Sequence, residues 1–241
     1  MLRIINNKYL IEYDADAIYK IMDLDLNVLY EDNHLIVIEK PINVLSQKDN
    51  TNDFDVNEIV KDYLKNKYNK PGNVYLGLVH RLDRRVGGVL VLAKTSKAAS
   101  RLSEDIRNNN FEKYYIAKAT GKILNDGEIK VNILKDEKTK KAIISNNGKP
   151  SSLDYSIINY DNNDTYVYVN LHTGRYNQIR VSFSYINHPL INDYKYSNCK
   201  VNDNELGLWC HKIIINHPVT KEKLSFECLP KGSIWNNLKT K

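Results

Sequence analysis

Two apolar runs, Val74 to Val79 and Val89 to Ala93, enclose the polar loop His80 to Gly88, and this arrangement constrains the chain more than any other feature. Apolar runs this short, bounded by a turn, read as buried strands rather than helices. Between them lie Arg81, Asp83, Arg84 and Arg85, at a strand end, where scaffolds commonly present function. The flanking pattern supplies the other elements. Val28 to Tyr30 and Leu35 to Ile38 flank Asp32-Asn33, stop at Pro41, and read as a strand pair or a strand after a turn. Asp55 can cap a helix with Glu58 three residues on, and Val56, Ile59, Val60, Tyr63 and Leu64 recur at helical spacing until Pro71-Gly72. A second helix is expected over 96 to 107, stopped by Asn108-Asn109-Asn110, and a third, shorter one over 177 to 186, ended by His188-Pro189. Between Lys113 and His172 the pattern is of short alternating strands, with Asn125-Asp126-Gly127 predicting a hairpin between 122–124 and 128–133. A last hairpin pairs Leu208 to Asn216 with Lys223 to Glu227. Helices and strands intermingle without regular βαβ alternation. The expected class is α+β, with a mixed, largely antiparallel sheet flanked by helices and loops.

Charge and composition narrow the function. The formal charge is +6 over 241 residues, and 42% apolar residues suffice for one core. Lysine is a poor guide to partners here, because 27 Lys accompany 31 Asn and 17 Tyr, all residues that A/T-rich codons supply. Arginine is more informative: of eight, Arg81, Arg84, Arg85, Arg175 and Arg180 fall in two short segments. No apolar run approaches the roughly 18 residues that span a bilayer, and the first twenty residues lack a secretory apolar core, so a cytoplasmic chain with no membrane contact is expected. Cys199, Cys210 and Cys228 include no CxxC pair and read as reduced thiols. His172, His188, His211 and His217 show no metal-ligand spacing, so no metal site is expected. Residues 1–24 are too few for a domain of their own and read as an arm or a strand added to the sheet; 25–241 read as one domain.

Two segments can carry chemistry. In the loop 78–88, the arginines around Asp83 favour its ionised form, which suits a nucleophile or base, and Gly87-Gly88 would let a ligand backbone approach closely. The alternative is a solvated salt-bridge loop. In 171–183, Arg175 lies in a turn and Arg180 at a helix start, so both guanidiniums could face one anionic group, with Arg180 reaching a carboxylate. If that carboxylate is Asp83, the two segments form one site.

The residues resemble a known family. His80-Arg81-Leu82-Asp83 with Gly88, Leu90 and Ala93-Lys94 is similar to the HRLD segment of RluA-type pseudouridine synthases. Asp32-Asn33 to Lys40-Pro41, the Lys113, Tyr115, Ala117 strand, Thr173-Gly174-Arg175 with Gln178-Ile179-Arg180-Val181, His188-Pro189, and the hairpin from Cys210-His211 to Pro230 follow in family order over about 25 to 235. The resemblance implies a pseudouridine-synthase catalytic domain, an isomerase (an intramolecular transferase) that breaks the N1–C1′ bond of a flipped-out uridine in ribosomal or transfer RNA and rejoins the base through C5, as a monomer without cofactor or metal. It makes Asp83 the essential carboxylate, Arg180 its partner, and Tyr115 the residue at the uracil. Arg81 is implied as a wedge, Arg84, Arg85, Arg175 and Lys40 as phosphate contacts, and His80 and Gln178 as further RNA contacts. Val86-Gly87, Tyr176-Asn177, Ser182 and Asn187 depart from the family pattern, which bears on RNA contacts and substrate identity. The competing expectations are an idle RNA-binding or assembly factor on the same scaffold and a carboxylate hydrolase; the latter needs a second catalytic carboxylate, absent from both motifs.

Overall fold

The computed structural model describes residues 26–49, 53, 55–197 and 205–239 in full, and the backbone of 2–5, 8–11 and 20–22. Strands β1 (Leu2–Ile5), β2 (Lys8–Ile11) and β3 (Lys20–Met22) pair in that order as a small antiparallel sheet. They are therefore not a strand added to the main sheet. Cys199 lies outside the described residues.

The main sheet begins with β4 (Val28–Glu31) and β5 (Leu35–Lys40), the antiparallel pair expected around Asp32. Helix α1 (Val56–Lys67) starts as its sequence predicts, with Asp55 Oδ1 accepting from the Glu58 amide at 2.8 Å. After α1 come β6 (Gly77–Leu78) and β7 (Gly87–Ala93), then α2 (Ser96–Arg107), capped by Thr95. Every residue of β5 and β7 is buried, which explains their unbroken apolar runs: a strand covered on both faces has no polar side to alternate.

The second half is β-rich: β8 (Glu112–Ala119), β9 (Gly127–Asp136), β10 (Lys141–Ile144), β11 (Lys149–Asp161) and β12 (Asp164–Leu171) precede α3 (Gln178–Tyr185), β13 (Leu208–Asn216) and β14 (Lys223–Glu227). The order β10-β9-β11-β12-β8-β13-β7-β5-β4, with β14 on β13 and β6 on β7, makes one eleven-stranded sheet. All its pairings are antiparallel except β13 with β7, so the α+β architecture with a mixed, largely antiparallel sheet is as expected.

Two local readings fail. Residues 122–124 form no strand, and β9 pairs instead with β10 and β11; the Ile123 amide is taken by Thr165 Oγ1 and Asp126 accepts from the Ile157 amide, so the Asn-Asp-Gly turn opens a strand rather than a hairpin. The strand expected over 74–79 shrinks to Gly77–Leu78, because β13 takes the start of the same β7 edge and β6 only its end.

Candidate active site

The loop 80–88 is held from below by buried polar groups. Ser46 Oγ donates to the Leu82 carbonyl at 2.8 Å and accepts from the Leu82 amide. Lys40, with no exposed surface, donates to the carbonyls of Pro41 and Arg84 at 2.8 and 3.3 Å. Burial lowers its pKa to about 7, against the opposing pull of Asp83, and Arg84 lowers it further. Lys40, expected at a phosphate, is instead a strut under the loop.

The loop enters β7 through two glycines packed by the protein itself. A Cβ on Gly87 would meet the Trp209 ring at 2.3 Å, and one on Gly88, whose φ is +117°, would meet the Cys210 carbonyl oxygen at 2.1 Å. No ligand backbone enters there, contrary to expectation. Gly88, Cys210 and Tyr115 lie level across β7, β13 and β8. Just past this level β13 bulges, and its free edge changes partner from β7 to β14. Tyr115 is buried, and burial followed by Cys210 raises its pKa well above the ordinary value, so it is a neutral phenol.

Asp83 keeps 26% of its side chain exposed and Arg180 only 2%. Arg180 Nη1 donates to Asp83 Oδ2 at 2.6 Å, while Nε and Nη2 fork onto Asp193 at 2.8 and 2.6 Å. Burial alone would lower the arginine's pKa, but the hydrogen bonds and charge of Asp193, and then Asp83, reverse this and raise it. One guanidinium thus joins two carboxylates, an arrangement suited to its planar fork. Asp193, fully buried, also accepts from the amides of Lys195 and Tyr196. Sequence reasoning missed it: a single Asp in the turn after His188-Pro189 carries no periodic or spacing signal. The other oxygen of Asp83 accepts from the Arg85 amide at 3.2 Å.

The remaining expected contacts divide. Arg81 and Arg84 are exposed, Arg84 beside Asp53. Arg175 is partly exposed; its Nε donates to the Pro150 carbonyl at 3.0 Å, and it lines an open cleft of about 860 Å³ with Lys130, Ser145 and Thr173. It does not share an anion site with the buried Arg180. Arg85 donates to the carbonyls of Asn192 and Glu205, bracing the loop from the side. Gln178, 3% exposed, accepts from Thr173 and the Arg175 amide and donates to the Ser152 carbonyl, closing the turn before α3. His80 accepts from the Val91 amide at 3.0 Å, filling the gap that β6 and β13 leave on the β7 edge. Burial, then Lys113, lowers its pKa to about 3, so the ring is neutral. Lys40 and Gln178, both buried, therefore serve the site's architecture, and the partly exposed His80 and Arg85 also brace it through their hydrogen bonds.

Two family departures have local reasons. Asn187 takes φ +62° where the family commonly has glycine, and asparagine is the side chain that best tolerates that region. Asn177 takes φ +49° and donates to the Tyr196 hydroxyl.

The geometry agrees with comparisons to known proteins. Residues 34–185 match the family model for RNA pseudouridylate synthase. The ribosomal large subunit pseudouridine synthase C of Vibrio vulnificus is 30% identical over 222 residues, covering 88% of this chain and 68% of that protein. The synthase D of Nitrosomonas europaea is 32% identical over 186 residues, covering 76% and 53%. The chain thus spans between about half and two thirds of the length of these relatives. Human RNA pseudouridylate synthase domain containing 4 shares the fold, with a TM-score of 0.71 at 22% identity over 85% of this chain and 89% of that one. With the family model matched across both arginine segments and the Asp83–Arg180 pair between them, the chain belongs to the RNA pseudouridylate synthase family.

Proposed function

We propose that the protein is an RNA pseudouridine synthase that isomerises a uridine of ribosomal RNA, with Asp83 as its essential carboxylate. The observation that carries this reading is the doubly held Arg180: it fixes one oxygen of Asp83 while Asp193 balances the arginine's charge, leaving a partly exposed, oriented carboxylate. The ribosomal substrate is taken from the names of the relatives, and it implies work in the cytoplasm. No membrane-crossing helix is present among the described residues.

In the proposed reaction the N1–C1′ bond breaks, the uracil turns, and a C5–C1′ bond forms. The C5 proton is lost and N1 gains one, so the product is an isomer. An ionised carboxylate at the sugar serves this chemistry by attack on it or by taking a sugar proton. Tyr115, a neutral phenol, is assigned to the uracil as a contact and hydrogen-bond partner. Arg81, Arg84 and Arg175 are assigned to the strand that presents the flipped uridine. Asp193 is not a second catalytic carboxylate of the kind a hydrolase needs, since both its oxygens are held by Arg180 in a closed interior.

The test is pseudouridine mapping in total RNA from cells with and without the gene, complemented by wild type or Asp83→Ala. Loss of a ribosomal site on deletion, restored by wild type and not by Asp83→Ala, is the expected result. Restoration by Asp83→Ala would sink the catalytic assignment, and no lost site would favour the idle RNA-binding scaffold.

A further inference from the structure

Tyr194 follows Asp193 directly and is 55% exposed. Its neighbour Tyr196 is built into the fold, receiving the Ala142 amide on its hydroxyl and packing in a side-chain cluster with Val181. Tyr194 joins none of the hydrophobic clusters. Two guanidiniums lie against its ring instead, Arg85 at 5.2 Å and Arg180 at 5.8 Å from the centroid. Both are fixed by other partners: Arg85 by the Asn192 and Glu205 carbonyls, Arg180 by Asp193 and Asp83. The ring therefore rests on a rigid cationic support, while more than half of the residue's surface is open to solvent. Such a ring contributes little to the core, yet it is pre-ordered for stacking, with its two torsions already restrained.

We propose that Tyr194 is a stacking platform for the nucleobase next to the target uridine. The proposal rests on the RNA substrate proposed above and adds a second base-binding position. The target itself is assigned to Asp83 and the buried Tyr115, whereas Tyr194 faces solvent. Arg180 bonds to Asp83 at 2.6 Å, and its guanidinium carbon lies 5.8 Å from the Tyr194 ring centroid. Ring and carboxylate therefore flank the same guanidinium, which places the ring where a nucleotide beside the target would lie. Flipping a uridine strips its neighbour of a stacking partner, and an aromatic face that receives the neighbour offsets that loss. Every base has a π face, so the platform raises affinity without selecting which base it holds.

The experiment uses the full chain and a seven-nucleotide RNA of uridines carrying one fluorescent 2-aminopurine beside the central uridine. Wild type and Tyr194→Phe should quench the fluorophore on binding. Tyr194→Ala should bind without the quench, with the dissociation constant raised about 5- to 150-fold, as expected for one lost base–aromatic stack, and with an unchanged melting temperature. Equal quenching by Tyr194→Ala and wild type overturns the proposal, as does equal loss of the quench in Tyr194→Phe and Tyr194→Ala. Conversion of ribosomal RNA is measured on the same preparations. A wild type that converts no uridine defeats the proposed function and leaves the fluorescence to decide on stacking; a converting wild type whose quench survives in Tyr194→Ala defeats the stacking role alone.

Discussion

The floor beneath Asp83 and the rim around it are both built from cations, but they use them differently. On the floor, Arg180 and Lys40 are buried and bonded to named oxygens: Arg180 fixes one carboxylate directly, and Lys40 holds the backbone of the loop that carries it. On the rim, Arg81 and Arg84 stand in solvent and Arg175 borders an open cleft, where salt screens them and their reach suits phosphates. Floor substitutions should therefore be large and local, rim substitutions small and spread over all RNA sequences. Arg180→Ala gives the largest expected effect. It leaves Asp193 buried without its partner, at about 3–5 kcal/mol of stability, and releases Asp83. Isomerisation per folded molecule should fall at least about 10²-fold, the scale of a misplaced reacting group. Chemical denaturation and single-turnover rates check the two parts, and an unaltered rate would erase the distinction between floor and rim.

Asp193→Asn sharpens the same contrast, because the shape is kept while the charge that balances Arg180 is lost. The rate should drop about 10-fold or more with RNA affinity unchanged within about twofold, as expected for a residue acting through Arg180 rather than on the strand. Single-turnover rate against equilibrium binding separates these readouts; a loss confined to affinity would move Asp193 to the rim.

Lys40→Met probes the floor through pH. The ordinary lysine pKa of 10.5 falls to about 7 in the folded state through burial, so the unfolded chain binds more protons between those values and wild-type stability rises with pH across that window. The contribution is complete above about pH 10.5 and is lost as pH falls through 7. Relative to Lys40→Met, wild type should gain about 3 kcal/mol between pH 7 and 9.5, from roughly 1.4 kcal/mol per pKa unit. Urea unfolding at the two pH values reads this difference. A constant gap would mean Lys40 stays charged in the fold.

How much of this could be read in advance depended on how local each signal is. The α1 start was legible because Asp55 and Glu58 make their cap within three residues. The pairing of Asp83 with Arg180 was legible as a cation seeking a carboxylate, sharpened by family order. The hairpin at Asn125-Asp126-Gly127 failed because β9 takes distant partners, β11 among them, which no turn dipeptide encodes. Lys40, Gln178 and His80 point inward for one reason: residue type predicts exposure on average, and where a polar side chain settles depends on hydrogen-bond partners brought by other strands and loops, here the Arg84 and Ser152 carbonyls as acceptors and the Val91 amide as donor. Asp193 was invisible because its meaning exists only beside Arg180.

The smallest expected effect tests the rim. Arg175 spends Nε on the Pro150 carbonyl, and its cleft is lined by Lys130 and serine and threonine side chains, with no carboxylate. A phosphate entering there would meet a cation and hydroxyls, and its contact would carry no sequence information. Arg175→Ala should weaken RNA binding by a similar modest factor for every sequence tried and lower the slope of log affinity against log salt by about 1, the signature of one lost phosphate contact. The single-turnover rate at saturating RNA should hold, because Arg180 takes its geometry from Asp193 and not from this arginine. Binding titrations at several salt concentrations decide the matter. An unchanged slope with a reduced saturating rate would place Arg175 on the floor and join the two regions into one.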